Sequence, residues 1–210
     1  MKIINLFFKK LMVFSLIIVL VFTTGCIDNN EKSPENKSEI ALEDIVLNVD
    51  DLPSGYRIIT VDRNISTQFG FSQISEVEEV IGIIFMHENN TNASGVPLIS
   101  MAIARYSDYI DAVLALTNSS EIMDSSLKTI FNIVGKPIEV SLGDSSKGMY
   151  YNGQLNENYS NATSAWSYLY VKINKTLFFI ALNELEPIDF PYEEKTISYM
   201  QIMVDRYNSS

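Results

Sequence analysis

Residues 11–22 are apolar except for Ser15, follow Lys2, Lys9 and Lys10, and end four residues before Cys26, the single cysteine of the chain. A basic start, a short apolar run and small residues just before its end make the layout of a secretion signal. Twelve helical residues rise only about 18 Å against roughly 30 Å of hydrocarbon, so the run is short for a permanent span. The rest of the chain is therefore expected outside the membrane, whether the segment is removed or stays as a signal anchor. One Cys and one His also exclude a disulfide framework and a Cys/His zinc centre. The exported part must hold itself together by apolar burial alone, and 47% apolar residues supply enough of it.

Thr23-Thr24-Gly25-Cys26 resembles the lipobox of prokaryotic lipoproteins, with Thr23 where bacterial sequences most often carry Leu. In that respect it looks more like the form found in archaeal surface lipoproteins. The resemblance implies a signal peptide over 1–25, lipid attachment at Cys26 and a membrane partner held through that lipid. Residues 28–39 carry no aromatic or β-branched side chain and cannot bury enough surface to order themselves, so 26–40 is expected to be a lipid anchor and disordered tether. After Cys26 there are 26 acidic residues against 12 basic ones. A body so acidic excludes nucleic acid as a partner, because phosphate binding needs cations to displace counterions, and it is repelled by anionic headgroups within about 8 Å.

Asn-x-Ser/Thr sequons stand at Asn36, Asn64, Asn89, Asn92, Asn118, Asn158, Asn161, Asn174 and Asn208. Nine sequons is roughly threefold more than chance placement of this composition gives, and each is expected in a linker, strand end, turn or tail, where N-glycosylation outside the cytoplasm would reach it.

Residues 41–210 read as one α+β domain. Strands are expected over 56–61, 79–87 and 98–106. Ser107 and Asp108 then cap a helix with Ile110, Val113, Leu114 and Thr117 along one stripe. A second helix over 120–133, or a kink at Asn118, precedes Gly135 and Pro137. Strands resume over 138–142, 147–151, 166–173 and 176–182, the last two closing as a hairpin around Asn174-Lys175. A helix over 192–207 presents Ile197, Met200, Met203 or Val204, and Tyr207 at helical spacing. Strands joined by short connections predict an antiparallel sheet, with a helix pair in the middle of the chain and a C-terminal helix packed on it. In layout, with a Leu142-Gly143-Asp144 turn entering the second group of strands, the domain resembles the small sheet-and-helix domains of the PsbP/Mog1 type and of several exported sensor lipoproteins.

Trp166, Tyr168 and Tyr170 alternate along one strand, with Tyr150 and Tyr151 on a strand nearby. Such a face either stacks on a ligand or carries a helix; Trp166, Tyr168, Tyr170 and Tyr151 are the ligand-binding candidates. Acidic clusters at Asp50-Asp51, Glu76 to Glu79, and Glu184 to Glu194 lack the spacing of a calcium loop and read as solvated charge, so no metal is assigned. His87 reads as exposed at a strand edge. No nucleophile elbow, phosphate loop or zinc-helix motif occurs, so no catalytic residue and no cofactor are assigned. The expected role is a non-enzymatic module binding a small molecule or an envelope protein. The alternatives are a structural envelope lipoprotein without a ligand and a carboxylate-dependent hydrolase.

Overall fold

The computed structural model describes residues 40–63, 77–89, 96–131, 135–157, 162–185 and 190–209. The signal segment, Cys26, the tether through residue 39, and the sequon asparagines Asn36, Asn64, Asn92, Asn158 and Asn161 lie outside the described residues. In chain order the elements are α1 (Leu42–Ile45), a 3-10 turn (Val49–Asp51), β1 (Tyr56–Asp62), β2 (Val77–His87), β3 (Leu98–Tyr106), α2 (Tyr109–Phe131), β4 (Lys136–Pro137), β5 (Ser145–Gln154), β6 (Thr163–Ile173), β7 (Thr176–Leu185) and α3 (Tyr192–Ser209). None of these helices is long and apolar enough to cross a membrane.

The strands form one sheet in the order β1-β2-β3-β7-β6-β5-β4, antiparallel at every step. Two meanders, β1 to β3 and β4 to β7, meet where β7 pairs with β3, and α2 is the crossover that carries the chain from one to the other. The β6–β7 hairpin turns at Asn174, whose positive φ of 52° Asn tolerates better than most residues.

Both faces of the central strands are buried, because each strand alternates two apolar sets. Ile99, Met101 and Ile103 of β3, Leu169 and Val171 of β6, and Phe178, Ile180 and Leu182 of β7 pack under α3 and α1. Ala102 and Ala104, Tyr168 and Tyr170, and Leu177, Phe179 and Ala181 pack under α2. The fold is therefore α+β with a helix layer on each side of the sheet.

Three expectations are corrected. The mid-chain helix pair is one continuous helix: no Gly or Pro lies between 109 and 131, and the Ser120 hydroxyl donates to the Thr117 carbonyl at 2.9 Å without breaking it. The expected apolar stripe points the wrong way. Ile110 and Leu114 are exposed, at 67% and 44%, while Ala112, Ala115, Leu116, Ser119 and Ser120 face the sheet. Small residues on both α2 and β3 let the helix approach closely, and that contact outweighs burying two larger side chains. The strand expected over 138–142 is absent. Only Lys136 and Pro137 pair with β5; beyond them the Ile138 amide donates to the Gly148 carbonyl at 3.0 Å and the Ser146 hydroxyl to the Val140 carbonyl at 2.7 Å.

The inverted face carries a test. Ala115→Leu is expected to cost about 1–3 kcal/mol by overpacking, whereas Leu114→Gln should change stability by no more than about 0.5 kcal/mol. Urea unfolding of both variants checks this, and the opposite order would place the Leu114 face against the sheet.

The turn before β5 clamps the β6–β7 hairpin. Gly143 has φ +64°, and a Cβ there would sit 2.6 Å from the Lys172 carbonyl. Asp144 Oδ2 accepts from Lys172 Nζ at 2.9 Å and from the Asn174 amide at 2.8 Å. Lys172 is 1% exposed, and its ammonium lies 3.8 Å from the centroid of the Tyr109 ring, a cation–π contact that closes the site from above.

Candidate functional site: an aromatic groove at the start of the C-terminal helix

The aromatic strand face is structural. Tyr168, Tyr170 and Tyr151 are at most 1% exposed and lie beneath α2. Tyr170 packs on Phe179 at 4.8 Å and edge-on to Tyr168 at 5.8 Å, and Tyr151 stacks on Phe131 of the helix at 5.5 Å. The Tyr151 hydroxyl donates to the Asp124 carboxylate. Burial holds the Tyr168 and Tyr170 phenols far above their ordinary range, with nearby charge and neighbouring phenols adding to the shift. Trp166 is half-buried against the same cluster. The four candidates share a face as the alternation requires, but α2 occupies it.

The opposite face of β5 holds a site that periodicity missed. Tyr150 pairs with Ser167 of β6. Ser167 is small enough for the first turn of α3 to settle on the sheet beside it, its hydroxyl 2.5 Å from the Thr196 hydroxyl and 3.4 Å from the Tyr192 carbonyl. Pro191 precedes the helix, where the absence of an amide proton costs nothing, and its carbonyl accepts from the Lys195 amide at 2.9 Å. Tyr192 then stacks on Tyr150, with centroids 6.0 Å apart and planes at 21°, and Phe190 meets Tyr192 edge-on at 4.9 Å.

These rings wall an open cleft of about 480 Å³, lined by Tyr150, Phe190, Pro191, Tyr192, Glu193, Glu194 and Ile197. Its polar groups are few and placed. The Tyr192 hydroxyl donates to Glu184 Oε2 at 2.6 Å, and burial together with that carboxylate pushes the Tyr192 phenol far up. The other Glu184 oxygen, Oε1, is buried and accepts no hydrogen bond among the described residues. Tyr56, whose hydroxyl donates to the Pro97 carbonyl at 2.8 Å, is also pushed far up, by burial first and then by Tyr199 and Glu184. Lys136 Nζ reaches Glu193 Oε2 at 2.9 Å at the rim. The signal for this site was Phe190-Pro191-Tyr192 at a helix start: the proline holds the half-buried Phe190 over Tyr192, which is 3% exposed and belongs to the core.

The other singled-out residues resolve singly. Asp51 caps the 3-10 turn in a box with Asn48 and pairs with Arg206 at 2.7 Å. Glu79 pairs with Arg105 at 2.7 Å. Among the described residues no group of three His, Cys, Asp or Glu could hold a metal ion. His87 Nδ1 accepts from the Asn89 amide at 3.1 Å, so its Nε2, 3.0 Å from the Ser54 carbonyl, is the protonated nitrogen. Of the sequons, Asn174 sits in the hairpin turn and Asn208 in the last turn of α3. Asn118 lies inside α2, contrary to its expected place in a loop, and Ser120 of its sequon is 6% exposed.

No family model matches the chain, and no curated protein matches it. Solved structures do. The extracellular domain of PknH from Mycobacterium tuberculosis aligns with a TM-score of 0.54 at 9% identity, over 82% of this chain and 99% of that one. The two share a fold. LpqN, described as involved in cell envelope biogenesis of Mycobacterium tuberculosis, aligns at 16% identity over 73% of this chain and 77% of that one, with a TM-score of 0.33.

Proposed function

We propose that this chain is an extracytoplasmic envelope lipoprotein, anchored through a lipidated Cys26, whose α+β domain is a non-enzymatic binding module taking its ligand in the groove of Tyr150, Phe190 and Tyr192. The observation that carries the reading is the groove itself. Two half-buried rings, Tyr150 and Phe190, border an open cleft over the buried Tyr192, while Tyr168, Tyr170 and Tyr151 of the opposite face lie beneath a helix. Apolar walls with a few fixed polar groups are the usual build of a small-ligand site. The secretion-signal layout and lipobox, the excess of sequons and the fold shared with a domain described as extracellular support the outward placement. The half-buried rings of Tyr150 and Phe190 supply apolar contact area and Glu193 and Glu194 orient what enters; nothing in this action requires a bond to be made or broken.

Intact-mass and peptide mass spectrometry on protein purified from its own membranes tests both halves. The expected chain begins at a lipidated Cys26, carries a co-purified small molecule that Tyr150→Ala loses, and is released into the soluble fraction by Cys26→Ser. A Cys26→Ser protein that stays in the membrane would assign the anchor to an uncleaved apolar segment. A protein carrying glycans and no ligand would favour a structural envelope component.

A further inference from the structure

We infer that the start of α2 is a membrane-contact surface, on which Tyr109, Ile110 and Leu114 enter the headgroup layer of the membrane that holds the lipidated Cys26. This rests on the anchor in the reading above and adds which end of the domain meets the lipid.

Three exposed apolar side chains sit together there. Ile110 is 67% exposed, Tyr109 53% and Leu114 44%, and the four-residue step from Ile110 to Leu114 puts both on one side of the helix. Val113, half-buried, lies on the same stripe. The contact with the sheet is made by Ala112, Ala115 and Leu116, so the fold itself does not use the stripe. Single exposed apolar residues are ordinary on a domain surface, whereas several at helical spacing mark a surface that meets something apolar.

The place of the stripe in the fold identifies its partner. The carbonyl of Ile40, the first described residue, accepts from Arg105 Nη2 at 2.6 Å, near the end of β3. Next along β3, the Tyr106 amide donates to the Lys175 carbonyl of the β6–β7 hairpin at 2.9 Å. The Tyr109 ring lies over Lys172 of that hairpin. The start of the domain, the hairpin and the start of α2 therefore share one end of the sheet. Thirteen residues separate Cys26 from Ile40, a span of at most about 50 Å. A link that short holds this end against the lipid at roughly millimolar effective concentration, so a contact too weak to recruit a free protein is still populated.

The side chains suit lipid. Asp108 and Asp111 flank the stripe, with the Asp108 carboxylate accepting from the Asp111 amide at 2.8 Å, and Lys175 in the neighbouring hairpin does not outweigh them. Headgroup charge therefore has no net positive patch to attract, and the contact is apolar. A tyrosine at headgroup level with aliphatic side chains beside it is the composition of a shallow interfacial contact.

The test uses the lipid-anchored chain purified from its own membranes and added to preformed phosphatidylcholine vesicles. A nitroxide is placed at Ile110→Cys or, as reference, at Ile122→Cys, about 18 Å further along the helix. Both side chains are exposed, so neither label disturbs the core. Collision with a water-soluble nickel chelate is expected to be about fivefold slower at 110 in the anchored chain than in the released Cys26→Ser chain, and the same in both at 122. Adding Leu114→Gln should bring the rate at 110 back to within about twofold of the released chain. Asn174, in the hairpin turn at the same end, should carry no glycan in the native chain. No slowing at 110, equal slowing at 122, a slow rate that Leu114→Gln leaves unchanged, or a glycan on Asn174 would each overturn the contact and leave the anchor in place. Dipolar broadening between labels would overturn it by assigning the stripe to a second copy of the chain. The wild-type chain reports on the anchor separately: a lipidated Cys26 takes up no label, and if label attaches there the anchor reading fails and the contact with it.

Discussion

Tyr170→Ala is expected to lower the stability of the domain by about 3–5 kcal/mol, the range for deleting a large aromatic from a closed core. Tyr170 is fully buried, and it contacts Phe179 at 4.8 Å and Tyr168 at 5.8 Å beneath α2, so the vacated volume has rigid walls on every side. Tyr150→Ala, on the other face, opens onto solvent and should cost about 1–2 kcal/mol, because a half-buried ring returns only part of its apolar area to water. Chemical unfolding of the two variants, with ligand titration of each, separates scaffold from site. If Tyr170→Ala kept full stability, or if it alone abolished binding, the division of the two faces would be wrong.

Asp144→Asn is expected to cost about 2–3 kcal/mol, because it leaves the Lys172 ammonium buried beside one carbonyl and a ring. Lys172 is 1% exposed and Asp144 41% by side chain, so water screens the acid and the cost falls below the range for a wholly buried pair. Lys172→Met should cost less, since it removes the buried charge along with its partner's task, and Met follows the path of the Lys stem. Combining Lys172→Met with Asp144→Asn should give less than the sum of the two. The Asp144 carboxyl is held below the ordinary carboxylate range, first by the Lys172 hydrogen bond and then by the Asn174 amide. A carboxyl depressed on folding contributes stability that is present above its unfolded value near 3.8 and is lost as pH falls through its lower folded value. Wild-type stability should therefore fall below about pH 4 more steeply than that of Asp144→Asn. Parallel acid titrations of the two proteins would remove the clamp from the account.

Strand positions were the most legible part of the fold. Alternation along β6 put Trp166, Tyr168 and Tyr170 on one face, and in the folded sheet Ile99, Met101 and Ile103 of β3 lie on the other, because the two-residue period of a strand leaves no freedom once one face is buried. The Asn174 hairpin was equally plain, since its turn chemistry is local. Helix orientation was not legible. The apolarity of Ile110, Val113, Leu114 and Thr117 suggested a stripe, yet Ala112 and Ala115 face the sheet, because the small residues Ala102 and Ala104 on β3 admit a close backbone. A hydrophobicity pattern carries the size of its own residues but not the shape of the surface they meet.

The site divides in the same way. The chain alone determined an export-type start, a lone Cys26 with no disulfide partner, an acidic body and an antiparallel α+β plan, because these follow from counts, charge and local periodicity. Only the tertiary structure decided which aromatic residues are covered. Trp166, Tyr168, Tyr170 and Tyr151 looked available in one dimension, while Phe190 and Tyr192 looked like a helix start. Packing α2 over the first group buries Tyr168, Tyr170 and Tyr151, and seating α3 on Ser167 buries Tyr192 as well, leaving Tyr150 and Phe190 half-buried at the cleft. Exposure depends on contacts between residues tens of positions apart, and local periodicity does not encode them.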